Sequence, residues 1–158
     1  MTGHNPTDRG KLGSKRHIIT DKNGIPLSTF ITSANTHDVT VATNTIDNIV
    51  IKRPSSSSSS KLKHNQKKQN LCLDKAYHSK EVEQEIIKRG YNPHIRKRRE
   101  EKKRNKKYTT RRWVVERTNS WHNRFRKLFT RYEKKDKNYL GLVQLANSLI
   151  VYRRLILG

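Results

Sequence analysis

Cysteine occurs once in the 158 residues, at Cys72, which excludes an internal disulfide and a cysteine-rich zinc site. Acidic residues are scarce: 13 Asp and Glu stand against 36 Lys and Arg, a formal charge of +23. Apolar residues make up only 31 % of the chain, well below the roughly 45–50 % of an average globular protein. The core is therefore expected to be lean, and self-repulsion works against compaction. No stretch approaches the ~18–20 apolar residues of a membrane span. The opening MTGHNPTDRGK also lacks the apolar run of a signal peptide. The length fits one domain, since domains run to roughly 100–200 residues. These absences point to a soluble, cytoplasmic protein of a reducing compartment whose partner is a polyanion and not a membrane.

What the chain has in excess is basic charge, and its distribution is uneven. From Arg96 to Arg112, eleven of seventeen residues are basic, Arg96, Arg98 and Arg99 among them, offset by Glu100 and Glu101. A second cluster (Lys61, Lys63, Lys67, Lys68) follows the run Ser55 to Ser60. Between Arg111 and Tyr132, Arg117, Arg124 and other basic residues alternate with Trp113, Trp121, Phe125 and Phe129. Aromatics interleaved with basic residues favour a nucleic-acid surface, on which phosphates pair with cations and bases stack on rings. The bland reading is a solvated basic face with no dedicated ligand.

The pattern along the chain mixes strands and helices, which gives an α/β or α+β class. Strands are expected at residues 15–20 and 26–33, joined by the turn signal Asp21-Lys22-Asn23-Gly24 as a hairpin. A weak, threonine-rich helix over 36–51 follows, with His37-Asp38 as helix-start structure. Residues 52–70 form a serine- and lysine-rich surface loop within the domain, because neither side alone could bury a core. Leu71-Cys72-Leu73-Asp74 suggests a buried strand that ends on a carboxylate. Ser79 to Arg89 is a helix capped by Ser79 and stopped by Gly90, and residues 91–96 form another short strand. Helices over about 110–129 and 138–157 complete the order.

Two carboxylates stand out. With Glu116 at the origin of a helical wheel at about 100° per residue, Arg112, Asn119, Ser120, Asn123 and Lys127 fall within about 60° of it. Val114, Thr118, Trp121, Phe125 and Leu128 fall on the opposite side. Glu116 thus stands among polar and basic groups, either paired one turn away with Arg112 or Ser120, or available as a ligand. Asp74 also has two readings, capping the next helix or sitting where α/β proteins bind ligands, at the carboxyl end of a strand. Together they suit phosphodiester cleavage. Two Mg²⁺ ions roughly 3.5–4 Å apart activate the attacking oxygen and stabilise the leaving one, and they prefer hard oxygen ligands.

The segments TGHNPTDRGKLGSKRHIITDKNGIPL, TSANTHD, LCLDKAY, RGYNPHIR and RRWVVERTNSWHNRFRKLFTRYEKK, in this order, resemble the catalytic domain of bacterial insertion-sequence transposases. The group is the insertion-sequence-five family of the aspartate-aspartate-glutamate class. The resemblance covers nearly the whole chain outside residues 55–70. It implies a ribonuclease-H-like mixed sheet flanked by helices. It also implies metal-dependent hydrolysis at transposon ends, then attack of the freed 3′-hydroxyl on target DNA. By motif, Asp74 is similar to the family's second catalytic Asp and Glu116 to its catalytic Glu, with Mg²⁺ or Mn²⁺ as cofactor. Arg112 and Arg117 resemble residues that hold DNA near the scissile phosphate. Lys11, Lys15, Arg16 and His17 resemble part of a DNA-facing strand region. Trp113 is open between stacking on a base and packing. His37-Asp38 also matches a family motif.

The family's first catalytic Asp belongs to a strand just before the TGHNPTDRGK segment, and Asp8, Asp21 and Asp38 do not take its place. The resemblance therefore implies one carboxylate and one central strand fewer than the family pattern, with an unpaired sheet edge. Cleavage by the chain alone is not expected on this reading. Three origins are open: the downstream product of a frameshifted gene, pairing with the upstream-frame product; a decayed remnant; or a DNA-binding regulator that competes with the full enzyme. The expected partners are transposon-end and target DNA and further copies of the chain, associated with the nucleoid when bound.

Overall fold

A computed structural model describes residues 2–51, 68–95 and 111–158. The serine run and the basic residues Arg96, Arg98 and Arg99 lie outside the described residues. The fold is mixed α/β and divides into two compact units, one of Met1–Ile49 with Arg111–Gly158 and one of Val50–Thr110.

The first unit is built on an antiparallel sheet, β1 (Gly3–His4), β2 (Leu12–Thr20) and β3 (Pro26–Ser33), in that order. β2 and β3 form the expected hairpin, with His17 opposite Phe30 and a register shift at Ile19/Thr20. Asp21 makes the turn: its Oδ1 accepts from the backbone N–H of Asn23 (2.8 Å) and of Ile25 (2.7 Å). That is the Asx-turn chemistry for which Asp is favoured. Gly24 takes φ +82°, the left-handed conformation that suits glycine. β1 was not foreseen. Its two residues pair with Gly13 and Leu12, and a pairing that short leaves no periodicity to read.

Helix α1 (Asp38–Asp47) buries Val41, Ala42, Thr45 and Ile46. It is tied to β3 by Ser28 Oγ, which donates to the Thr45 carbonyl at 2.5 Å. The helix expected over 110–129 is two pieces, α3 (Arg112–Asn123) and α4 (Arg126–Phe129). The break falls at Phe125, whose extended backbone starts α4. The turn lets Leu128 and Phe125 join Tyr139, Val143 and Ala146 of α5 (Asp136–Leu155) in one cluster with Ile31 of β3.

The second unit pairs β4 (Asn70–Leu73) and β5 (Asn92–Ile95) in parallel, with Leu71 opposite Pro93 and Leu73 opposite Ile95. A short 3₁₀ turn (Lys75–Tyr77) and helix α2 (Lys80–Lys88) make the crossover. Val82 and Ile86 of α2 are buried, as are Leu71 and Ile95 of the strands. Ser79 occupies the N-cap position, yet its hydroxyl donates to the Glu81 carboxylate and no side-chain cap forms. Gly90 ends α2 as expected. It takes φ +76° and donates to the Ile87 carbonyl (2.8 Å), while Tyr91 N–H reaches the Ile86 carbonyl (3.1 Å). This is a Schellman cap. No helix among the described residues is long and apolar enough to cross a membrane.

Candidate functional site

Helix α3 presents Glu116 to solvent and turns Val114, Thr118 and His122 inward. The wheel drawn from the sequence holds on both faces as far as Asn123. The helix is fastened to the β2–β3 turn. Thr118, fully buried, donates from Oγ1 to the Gly24 carbonyl at 2.6 Å, and Arg117 Nη2 donates to the Asn23 carbonyl. A Cβ on Gly24 would lie 3.2 Å from Arg117 Nε, Arg117 Nη2 and Thr118 Oγ1. The glycine is therefore required twice over, by its φ and by the close approach of α3. Glu116 stands next to Arg117 and two residues before Thr118, about 3 Å along the helix axis from it.

Arg117 also stacks. Its guanidinium lies 4.8 Å from the Trp113 ring centroid and 5.3 Å from that of Trp121, and Arg154 of α5 covers Trp121 at 4.5 Å. The result is an alternating ladder of guanidinium and indole across α3 and α5. At one end is Trp113, 55 % exposed. Arg124, at the C-cap of α3, is exposed. Of Arg112 the backbone alone is described, as the first residue of α3.

His122 was missed by the sequence reading, although it stands four residues after Thr118 and extends the inward stripe. It is fully buried, with Nε2 2.7 Å from Asn147 Oδ1, and Asn147 Nδ2 donates to Thr29 Oγ1 at 2.8 Å. The amide oxygen can only accept, so Nε2 carries the proton. This chain links α3, α5 and β3. Burial pushes the His122 pKa below its ordinary value; the hydrogen bond to Asn147 opposes that shift and the Arg16 charge adds to it.

The basic strand residues divide by environment. Lys11 is exposed, 3.9 Å from Asp8. Lys15 pairs with Asp38 Oδ1 at 2.9 Å and donates to the Thr36 carbonyl at 3.2 Å. His37-Asp38 thus starts α1 and also anchors it to β2. His17 is buried, with Nε2 2.8 Å from Thr32 Oγ1 and Nδ1 3.7 Å from Asp38. Burial lowers its pKa, with Asp38 acting against the shift and Lys15 with it. Arg16 Nη2 donates to Asn123 Oδ1 at 3.0 Å, joining β2 to the end of α3.

In the second unit Asp74 follows the last residue of β4 and is exposed. Its carbonyl accepts from Tyr77 N–H at 3.0 Å, which turns the chain into the 3₁₀ helix. It sits where the sequence placed it, at the carboxyl end of a parallel strand, the favoured position for ligands in α/β sheets. Cys72, one strand position from Leu73, is exposed. Asp74 and Glu116 belong to different units. Among the described residues there is no group of three or more His, Cys, Asp or Glu that could hold a metal ion.

Comparison with known proteins identifies the chain's relatives. The transposase DDE domain pattern matches residues 2–151. A Burkholderia cepacia protein described as "Putative transposase for insertion sequence element IS402" is 38 % identical over 157 residues, which is 98 % of this chain and 70 % of that protein. No solved structure matches the chain. An exposed Asp at the end of a parallel strand and an exposed Glu on a helix rich in Arg and Trp therefore lie within a domain matched almost from end to end, and the chain belongs to the DDE-domain transposases of bacterial insertion sequences.

Proposed function

We propose that the chain supplies Asp74 and Glu116 to the metal site of a DNA transposase, which hydrolyses phosphodiesters at transposon ends and transfers the freed strands into target DNA. The observation that carries this reading is the exposure of both carboxylates, Asp74 just after β4 and Glu116 on α3, within the stretch that the transposase DDE domain matches. DDE transposase domains generally use divalent metals. The donor set fits Mg²⁺ or Mn²⁺: both residues offer hard oxygens, and Mg²⁺ is typically held by one or two carboxylates, with waters and substrate phosphates as its other ligands. When bound, the ions lower the pKa of the attacking water and stabilise the leaving oxygen.

The remaining residues bind and position. Lys11, Arg124 and the unit's other exposed cations hold phosphates, and Arg96, Arg98, Arg99 and Arg112 extend that role. Trp113 offers an exposed ring for base stacking. Lys15, Arg16, His17 and Arg117 are engaged within the first unit, His17 buried and the other three partly exposed, fixing β2, α1 and α3 so that Glu116 is held at one place. The fold proposed is a ribonuclease-H-like mixed sheet flanked by helices, and the chain would act on DNA, in the nucleoid, as a homo-oligomer.

The test uses a chain extended by the family's preceding strand and its Asp, incubated with transposon-end DNA and Mg²⁺. Glu116→Ala and Asp74→Ala are each expected to abolish cleavage while DNA binding persists. Cleavage that survives Glu116→Ala refutes the assignment. An extended chain that binds DNA and never cuts supports instead a non-catalytic, regulatory protein.

A further inference from the structure

Phe129 and Tyr132 are the two most exposed aromatic rings among the described residues, at 71 % and 75 %. They stand where α4 ends and the chain crosses to α5. Their apolar neighbours Leu128 and Tyr139 are buried in the first unit's cluster. The charges around the rings are sorted as well. From residue 124 to residue 137 every exposed charged side chain is basic: Arg124, Arg126, Lys127, Lys134, Lys135 and Lys137. The two carboxylates of that stretch are half-buried. Asp136 pairs with Arg131 at 2.7 Å, and Glu133 keeps its Oε2 away from solvent.

Arg131 holds the crossing in one shape. It is the one cation between the two rings, and it turns inward. Its Nε donates to the Glu133 carbonyl at 2.9 Å and its Nη1 to Ser14 Oγ of β2, while its guanidinium lies 4.9 Å from the Tyr139 ring centroid. The backbone between Phe129 and Tyr132 is thus fastened to β2 and α5. A ligand meets rings and cations already in place, which lowers the ordering cost of binding.

Two features of this surface select its ligand. The cations call for phosphates along the segment, and the rings call for flat, apolar faces. A second copy of a +23 chain is repelled by such a surface. Duplex DNA supplies the phosphates but keeps its base faces inside the stack. A single strand offers both, with phosphates for the cations and free base faces for the rings. We propose that the crossing from α4 to α5 binds single-stranded DNA, with bases stacked on Phe129 and Tyr132 and phosphates held by Arg126, Lys127, Lys134 and Lys135. The rings are three residues apart, at most about 11 Å between Cα atoms, so one short strand reaches both. The inference rests on the DNA-binding part of the proposed function and adds a second form of DNA to it; neither Asp74 nor Glu116 takes part.

The test is fluorescence anisotropy of the full chain with a labelled oligothymidine and with a duplex of equal length, in a chelator so that no metal acts, over a salt series. Phe129→Ala combined with Tyr132→Ala is expected to weaken single-strand binding by at least about fivefold, the lower end of the loss for removing one base–aromatic stack. Duplex affinity and the slope against salt are expected to stay as in the parent, because no charge is removed. Tyr132→Phe keeps the ring and is expected to bind as the parent does. Lys134→Gln combined with Lys135→Gln is expected to lower the single-strand salt slope by about 1.4, at roughly 0.7 per phosphate. Melting temperatures are expected to be unchanged, since all four side chains are exposed. Equal losses for duplex and single strand, or no loss in the alanine variant, overturn the proposal and leave duplex binding standing. Tighter binding of an oligouridine of the same length overturns it in favour of RNA. A parent chain that binds neither form of DNA refutes the DNA contact of the proposed function as well.

Discussion

The contact between α3 and the β2–β3 turn predicts a specific loss on Thr118→Val. Valine keeps the volume of threonine, so no cavity term enters. What disappears is a fully buried hydroxyl that donates to the Gly24 carbonyl at 2.6 Å and, at 3.2 Å, back to the Val114 carbonyl. The Val114 carbonyl retains its helical bond, whereas the Gly24 carbonyl loses this donor. Leaving a buried acceptor unsatisfied costs about 1–3 kcal/mol. For a chain of this length about 2 kcal/mol corresponds to a fall of about 4–8 °C in melting temperature. Thermal unfolding followed by circular dichroism at neutral pH measures it, and amide exchange localises it: the Gly24 N–H, held by the Asp21 carbonyl at 3.2 Å, is expected to exchange faster. Thr118→Ser is the control. It keeps the hydroxyl and loses one methyl, for about 1 kcal/mol. If Thr118→Val stays within about 0.5 kcal/mol of the parent while Thr118→Ser costs more, the methyl group and not the hydrogen bond fastens the helix, and the reasoning fails.

Two further expectations concern other parts of the chain. His17 and His122 are buried with pKa values below the ordinary 6.5, so the unfolded chain takes up their protons first. Stability is therefore full above pH 6.5 and is lost as pH falls through that value toward the folded pKa values. Urea midpoints across this range are expected to decline, with a shallower slope in His122→Asn; an unchanged slope in that variant would remove His122 from the account. In the second unit, Gly90→Ala forces a side chain into φ +76° and is expected to cost about 1–2 kcal/mol, read as a lower urea midpoint with the helix content of α2 largely retained.

Much of this chain is legible along the sequence because its signals are local. The Asp21–Gly24 turn, the Gly90 cap, the position of Asp74 after an apolar strand and the two faces of α3 each depend on residues within a turn or two of one another, where propensity and periodicity act directly. Three features escape such reading. The two-residue β1 is too short to have a period. The break after α3 follows from Leu128 and Phe125 joining a cluster with Ile31 and Tyr139, partners distant in sequence. The role of Ser79 differs because its hydroxyl has a carboxylate, Glu81, nearer than the backbone it was expected to cap.

The basic residues show the division most clearly. Composition gives the chain a charge of +23, and the match over residues 2–151 gives its family. Neither says which cations stay exposed. Lys15, Arg16, His17 and Arg117 look the same in sequence as Lys11 and Arg124, yet the first four are engaged with Asp38, Asn123, Thr32 and the Asn23 carbonyl. The reason is physical: charge is a property of a residue alone, whereas solvation and pairing depend on which distant segments fold against it. Long-range packing also buries His122, and no window of the sequence contains the residues that decide it.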